Sequence, residues 1–133
     1  MLAGNFTLTT SSQMELIGIS RRIRDIIIKN SVSSGICYLF NPHTTAGLTI
    51  NEGADPDVCD DIIKGLLHIV PANLNYKHLE GNSPAHIMSS LVGTSLVIEI
   101  VDGKLQLGTW QKIFFCEFDG PRTRKVHWKI VKD

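Results

Sequence analysis

Net charge is the first thing this sequence lacks: thirteen lysines and arginines stand against thirteen aspartates and glutamates. A chain with no overall field has no general pull on nucleic acid or on an anionic membrane, so neither is expected as a partner. Long apolar runs are missing as well, none approaching the roughly eighteen residues that a membrane-spanning helix needs. The opening Met1-Leu2-Ala3-Gly4-Asn5-Phe6 has neither a positive leader nor an apolar segment, so no signal peptide is read and a cytoplasmic protein is expected. Cysteine is scarce: Cys37, Cys59 and Cys116 are odd in number, scattered, and never spaced as CxxC. Such usage argues against a disulfide framework and for buried, reduced thiols. Repeats, linkers and low-complexity tracts are absent too. The 133 residues are therefore read as one domain, 1–133, long enough to bury a core.

What the sequence does have is patterning. Phe6–Thr10 and Met14–Ile17 alternate apolar and hydroxylic side chains and read as a first hairpin. Ser20 opens a helix to about Asn30, with Ile23, Ile26 and Ile27 on its apolar side. Gly35–Phe40 is nearly all apolar and reads as a central strand covered on both faces. After the polar loop from Asn41 to Gly47, Leu48–Glu52 resumes as strand. Asp55-Pro56 is a helix start, an acidic cap followed by proline at the first helical position. That helix runs to about Val70, and Val58, Cys59, Ile62, Ile63, Leu66 and Leu67 form its expected buried stripe. A further helix from near Ser83 ends at Gly93.

The last third is strand. Thr94–Val101 alternates, Asp102-Gly103 signals a tight hairpin, and Lys104–Leu107 returns. Lys112–Phe118, a turn at Asp119–Arg122 and an alternating Val126, Trp128 and Ile130 complete the chain. Strands outnumber helices and gather late, so the expected class is α+β: a largely antiparallel or mixed sheet packed with two or three helices.

Polar residues out of place point to chemistry. The segment His78-Leu79-Glu80-Gly81-Asn82-Ser83-Pro84-Ala85-His86 packs two imidazoles, a carboxylate, an amide and a hydroxyl into nine positions. Groups at that density need solvent, a ligand or a metal to satisfy them. On one unbroken helix His78 and His86 would lie about 12 Å apart along the axis. A shared site therefore requires a bend, and Gly81 supplies the place for it. His43 follows a buried strand, and with His78 and His86 it makes a three-imidazole site with an open fourth position, the layout of catalytic zinc. The plainer reading is a polar loop leading into a helix, with solvated histidines. Arg122 and Arg124 bracket a turn and can hold a phosphate by paired hydrogen bonds, or simply line a surface turn. Trp110 beside Gln111 can stack on a planar ring, or fill a core or subunit contact. Asp55, Asp57, Asp60 and Asp61 are explained by the helix dipole and by capping.

Taken together these blocks resemble the small bacterial and archaeal YjbQ family, also called secondary thiamine-phosphate synthases. The resemblance is carried by His43-Thr44-Thr45-Ala46-Gly47-Leu48-Thr49-Ile50-Asn51-Glu52, by His78-Leu79-Glu80-Gly81-Asn82 with Ala85-His86, by Leu107-Gly108-Thr109-Trp110-Gln111, and by Phe115-Cys116-Glu117-Phe118-Asp119-Gly120-Pro121-Arg122. It implies an α+β homotrimer with pockets near subunit contacts and histidines able to hold a divalent metal, zinc or magnesium. It also implies the joining of an aminopyrimidine diphosphate to a thiazole phosphate with release of pyrophosphate. The expected catalytic residues are then His43, Glu52, Glu80, Asn82 and Arg122. Thr44, Thr45, Asn51, Asp55, Trp110, Gln111 and Arg124 are expected to bind substrate, and His43, His78 and His86 to bind metal. A non-catalytic metal or metabolite binder, or a metal-dependent hydrolase of a small phosphorylated metabolite, uses the same inventory.

Overall fold

Leu2–Thr9 (β1) and Thr123–Lys132 (β8) pair antiparallel along eight positions, from Leu2 opposite Ile130 to Thr9 opposite Thr123. This pairing frames the computed structural model, which describes residues 2–133. Between the two run Glu15–Gly18 (β2), Ser20–Lys29 (α1), Gly35–Phe40 (β3), Ala46–Glu52 (β4), Pro56–Ile69 (α2), Ser83–Val92 (α3), Ser95–Val101 (β5), Lys104–Leu105 (β6) and Gln111–Glu117 (β7). Strands order as β1-β8-β3-β5-β6 in a five-stranded sheet and β2-β7-β4 in a three-stranded one, every pair antiparallel. The expected α+β class is what the chain adopts.

Two apolar clusters make three layers. Cys37, Leu39, Ile98, Ile100, Val126 and Ile130 from the larger sheet meet Leu48, Ile113 and Phe115 from the smaller, with Ile23 and Ile27 of α1 alongside. Burying each of the larger of these side chains stabilises the fold by about 1.5–3 kcal/mol. On the far face of the smaller sheet, Cys116 and Phe118 pack with Met88 and Ala85 of α3 and with Leu66 of α2. Burial pushes the Cys37 thiol up to about 11 and the Cys116 thiol up to about 12, so both stay protonated and inert at neutral pH.

Local signals hold where the chemistry is local. The Asp55 side chain accepts from the Asp57 N–H at 2.9 Å and Pro56 opens α2, while α3 stops at Gly93, which takes φ +100. Asp102 and Gly103 sit at φ 51 and 74, the double left-handed turn that matches the twist of a two-residue hairpin.

Four expectations are corrected. Phe6–Thr10 and Met14–Ile17 form no hairpin, because β1 pairs with β8 and β2 with β7. Gly35–Phe40 is central in its sheet but covered on one face only: Ile36, Tyr38 and Phe40 are exposed. The strand buried on both faces is β7, sandwiched between the larger sheet and the helices. The stripe on α2 is half-buried at best, with Leu67 exposed, since the helix rests on the rim of a small sheet. Finally, the return strand expected at Lys104–Leu107 is only two residues long.

Candidate functional site

The turn between β3 and β4, the segment leading into α3 and the start of β8 converge on a cavity of about 390 Å³. His43, Thr44 and Thr45 come from the first, His78, Glu80 and Asn82 from the second with His86 from α3 itself, and Arg122, just before β8, and Arg124, within it, from the third. The turn is stiffened from within. Asn41, almost fully buried, accepts the His43 N–H through Oδ1 and donates through Nδ2 to the His43 carbonyl, both at 3.0 Å.

The His43 ring has a defined polarity. The backbone N–H of Lys125 donates to its Nε2 at 2.8 Å. A neutral ring with that atom accepting carries its proton on Nδ1, which becomes a donor. Burial and then the nearby Arg124 guanidinium lower the His43 pKa, against an opposing pull from Glu117, so the neutral form prevails near pH 7.

Gly81 takes φ +78, a conformation that side chains resist, and the bend there brings His78 back toward His86. Their ring centroids lie 5.3 Å apart at an interplanar angle of 88°. Asn82 anchors the bend, donating through Nδ2 to Asp119 Oδ2 at 2.9 Å. Its own Oδ1 is buried without a hydrogen-bond partner among the described residues.

Under the cavity lies an ion pair. Glu117 is 0% exposed and Arg124 3%. Arg124 Nε donates to Glu117 Oε1 at 2.8 Å, and Nη2 donates to Glu117 Oε2 and to Thr45 Oγ1, the latter at 2.9 Å. Thr10 Oγ1 donates to Glu117 Oε1 at 2.8 Å and the Asp119 N–H donates to Oε2 at 3.0 Å. Burial by itself would raise the Glu117 pKa, but these hydrogen bonds and the Arg124 charge outweigh it and hold the carboxyl below its ordinary value. Arg122 is tied to Asp119 through Nε to its carbonyl and Nη2 to Oδ2, at 2.8 and 3.1 Å. Each arginine keeps Nη1 free of hydrogen bonds within the described residues.

Nine of the expected residues thus share one cavity. Five do not. Asn51, Glu52, Asp55, Trp110 and Gln111 gather at the other end of β4, where Glu52 is opposite Gln111 and the Gly53 N–H donates to the Trp110 carbonyl at 2.9 Å. A seven-residue strand separates the groups by about 20 Å. Because β4 runs unbroken, its ends cannot fold together. Most hydrogen bonds at that end are local: Asp55 caps α2, Gln111 Oε1 accepts from the Gly108 N–H at 2.8 Å, and Asn51 Oδ1 accepts from the Glu52 N–H at 2.7 Å. Conversely, Glu117, Asp119 and Thr10 were assigned no role from sequence. The signal available was a carboxylate inside the apolar run Phe114-Phe115-Cys116-Glu117-Phe118, where a charge requires a partner.

The three histidines line one cavity, yet no group of three or more His, Cys, Asp or Glu among the described residues is gathered closely enough to hold a metal ion. On His43, Nε2 is taken by the Lys125 N–H. His78 and His86 meet edge to face, and they are the two residues at the cavity whose spacing would allow a shared ion. An ion about 2 Å from one nitrogen of each ring, at a tetrahedral angle, sets the centroids roughly 5 Å apart.

Two antiparallel sheets stacked face to face, with helices on the outside of the smaller and a histidine- and arginine-lined cavity at the strand ends, define the α+β fold. The chain belongs to the family described as UPF0047 protein YjbQ-like, whose model matches residues 4–133. It is 54% identical to a UPF0047 protein of Methanocaldococcus jannaschii over 128 residues, covering 96% of this chain and 93% of that one. With YugU of Bacillus subtilis the identity is 44% over 123 residues, covering 92% and 93%. A crystal structure of a YjbQ/UPF0047 protein from Clostridium acetobutylicum superposes with a TM-score of 0.93 at 51% identity, covering 96% of this chain and 99% of the other. A hypothetical protein from Aeropyrum pernix K1 superposes with a TM-score of 0.95 at 32% identity, and each chain is covered completely.

Proposed function

We propose that this chain is an enzyme acting on small phosphorylated metabolites, joining an aminopyrimidine diphosphate to a thiazole phosphate with release of pyrophosphate. One observation carries the reading: residues with unengaged donors, from two chain-distant segments, line one cavity. Arg122 and Arg124 each present Nη1, His43 presents Nδ1–H, and Thr44 adds a hydroxyl. Phosphate oxygens accept such bonds strongly, and donors fixed before the reaction stabilise charge that develops on a departing pyrophosphate. Glu80 is the carboxylate at the cavity and takes the role of accepting from the pyrimidine amino group; Glu52, at the far end of β4, does not. Asn82 acts by holding the histidine segment to Asp119. Thr45 acts from beneath by holding Arg124.

Both guanidinium charges are offset by carboxylates, Glu117 and Asp119, so the protein alone binds by directed hydrogen bonds more than by net field. A divalent ion would supply the positive charge that pyrophosphate departure calls for: zinc suits the imidazoles of His78 and His86, whereas magnesium would be held by oxygens such as those of Glu80 and the diphosphate itself. The exposed apolar side chains Ile36, Tyr38, Val97 and Val131 on the larger sheet support assembly as a homotrimer through that face. No helix among the described residues is long and apolar enough to cross a membrane, in keeping with a cytoplasmic enzyme.

Incubation with the two precursors, followed by detection of thiamine phosphate, tests the reaction. We expect product, reduced at least about tenfold in His43→Ala and in His86→Ala. Full turnover in both variants removes the two imidazoles from the mechanism. Binding of the precursors without any product would leave a non-catalytic metabolite binder.

A further inference from the structure

Strand β1 is outermost in the larger sheet, and its second edge meets no strand among the described residues. Its eight residues include no charged side chain and no proline, the devices that ordinarily keep an open edge from pairing with other chains. Hydrogen bonds show which backbone groups are left over. The Thr10 N–H donates to the Arg122 carbonyl at 2.9 Å, toward β8, whereas the Thr7 carbonyl accepts from Arg22 Nη2 at 3.2 Å, away from it. The N–H and C=O of one residue point the same way and alternate from residue to residue in an antiparallel strand. Those of Ala3, Asn5 and Thr7 therefore face the open edge.

Helix α1 stands beside that edge and makes it a groove. A cavity of about 470 Å³ lies between them, with Ala3, Asn5 and Phe6 on the strand side and Arg22, Asp25 and Lys29 on the helix side. Trp128 lines it too, its ring laid against Gly4, where a Cβ would come within 2.7 Å of the indole. Arg22 is held twice, stacked 4.4 Å from the Phe6 ring centroid and bonded to Thr7. Asp25 and Lys29 form no ion pair among the described residues. In a chain without net charge, α1 alone carries Arg21, Arg22, Arg24 and Lys29 against Asp25. We propose that this groove docks an acidic, extended segment of a partner protein, added as a further strand beside β1. Main-chain donors and acceptors repeating along an edge are matched by another strand, which a nucleic acid or a small anion cannot supply. The helix sets the charge of the side chains that such a strand turns toward it. A second copy of β1 is the wrong occupant: pairing about a twofold axis would bring two basic α1 helices side by side on one face of the joined sheet.

Calorimetric titration of the intact chain with an octapeptide of alternating threonine and glutamate tests this. Two controls accompany it, one with lysine for glutamate and one with proline for threonine. The threonine–glutamate peptide is expected to bind at least about tenfold tighter than either control, and to protect the Ala3 and Asn5 amides from hydrogen exchange. Asn5→Pro removes one edge-facing donor at a place where an edge strand accepts proline, and should weaken binding at least about tenfold. Methylating the peptide nitrogens, one alternate set at a time, makes the same test with the protein unaltered, and one of the two sets should abolish binding. Arg22→Gln together with Lys29→Gln should shrink the preference for glutamate over lysine. The proposal is overturned if the threonine–glutamate peptide does not bind, if either control matches it, or if neither methylated set is weaker. It is overturned as well if the Ala3 and Asn5 amides are already protected in the peptide-free chain and lose protection on dilution, which would make a second copy the occupant. Displacement of the peptide by a single-stranded oligonucleotide would give the surface to nucleic acid instead.

Discussion

Glu117 closes a strand in which Phe114, Phe115 and Cys116 are buried, and it is itself without exposed surface. Such a carboxylate persists only because Arg124, Thr10 and the Asp119 N–H satisfy both its oxygens. Removing one partner of a buried pair leaves the other uncompensated, at a cost of about 3–5 kcal/mol. We expect Glu117→Gln to lose that much in urea unfolding at pH 7. The acid limb of stability changes as well. The folded-state pKa of Glu117 lies below its ordinary value of 4.5, so its contribution is present above that value and lost as the pH falls through the lower, folded one. Unfolding measured from pH 6 to pH 3 should therefore be less steep in Glu117→Gln than in the native chain; an identical slope would separate Glu117 from the acid response. This residue was readable from sequence as an anomaly, a charge among aromatics, but its partner Arg124 was read as free for substrate. The pairing was not legible because nothing in a strand's alternation says which inward-facing groups meet across a turn. His43 shows the same limit: its place after a strand was evident, whereas the Lys125 amide on its Nε2 comes from 82 residues away.

At the scale of elements, the segment between α2 and α3 owes its shape to a few side-chain ties. Asn82 reaches Asp119, and Asp119 Oδ2 also accepts from Arg122, so one carboxylate joins the histidine segment to the β7–β8 turn. The Arg122–Asp119 pair is half-exposed and contributes no more than about 1 kcal/mol to stability. Its importance is in placement. Asp119→Ala is expected to shift the melting temperature by only a few degrees while weakening pyrophosphate binding about three- to tenfold, read by thermal melting and calorimetry on the same preparation. Unchanged pyrophosphate affinity would mean that the segment keeps its shape without the tie. Helix limits in this region were legible because caps are local: Asp55-Pro56 and Gly93 mark ends through groups a few residues away. Strand partners were not. The early hairpin expected at Phe6–Ile17 gave way to pairings of β1 with β8 and β2 with β7, each across most of the chain. Alternation identifies a strand and its faces, but leaves its neighbour open.

For the whole molecule, the outer face of the larger sheet is the feature that a lone chain leaves unexplained. Tyr38 is opposite Val97 on one side and Lys129 on the other, and Ile36 is opposite Val131, so apolar groups are contiguous across β5, β3 and β8. A patch of this kind marks an interface more often than a solvated wall. Sedimentation velocity should show a trimer for the native chain and a monomer for Tyr38→Glu, with both equally folded by circular dichroism; a native monomer would refute the assembly. The cavity adds a different consequence. Its walls come from residues near 43, near 80 and near 123, which are neighbours only once both sheets have formed. No fragment or half-folded intermediate can retain such a pocket, so whatever occupies it is tied to the cooperative, global opening of the chain, and its binding free energy passes undivided into protection of the entire fold.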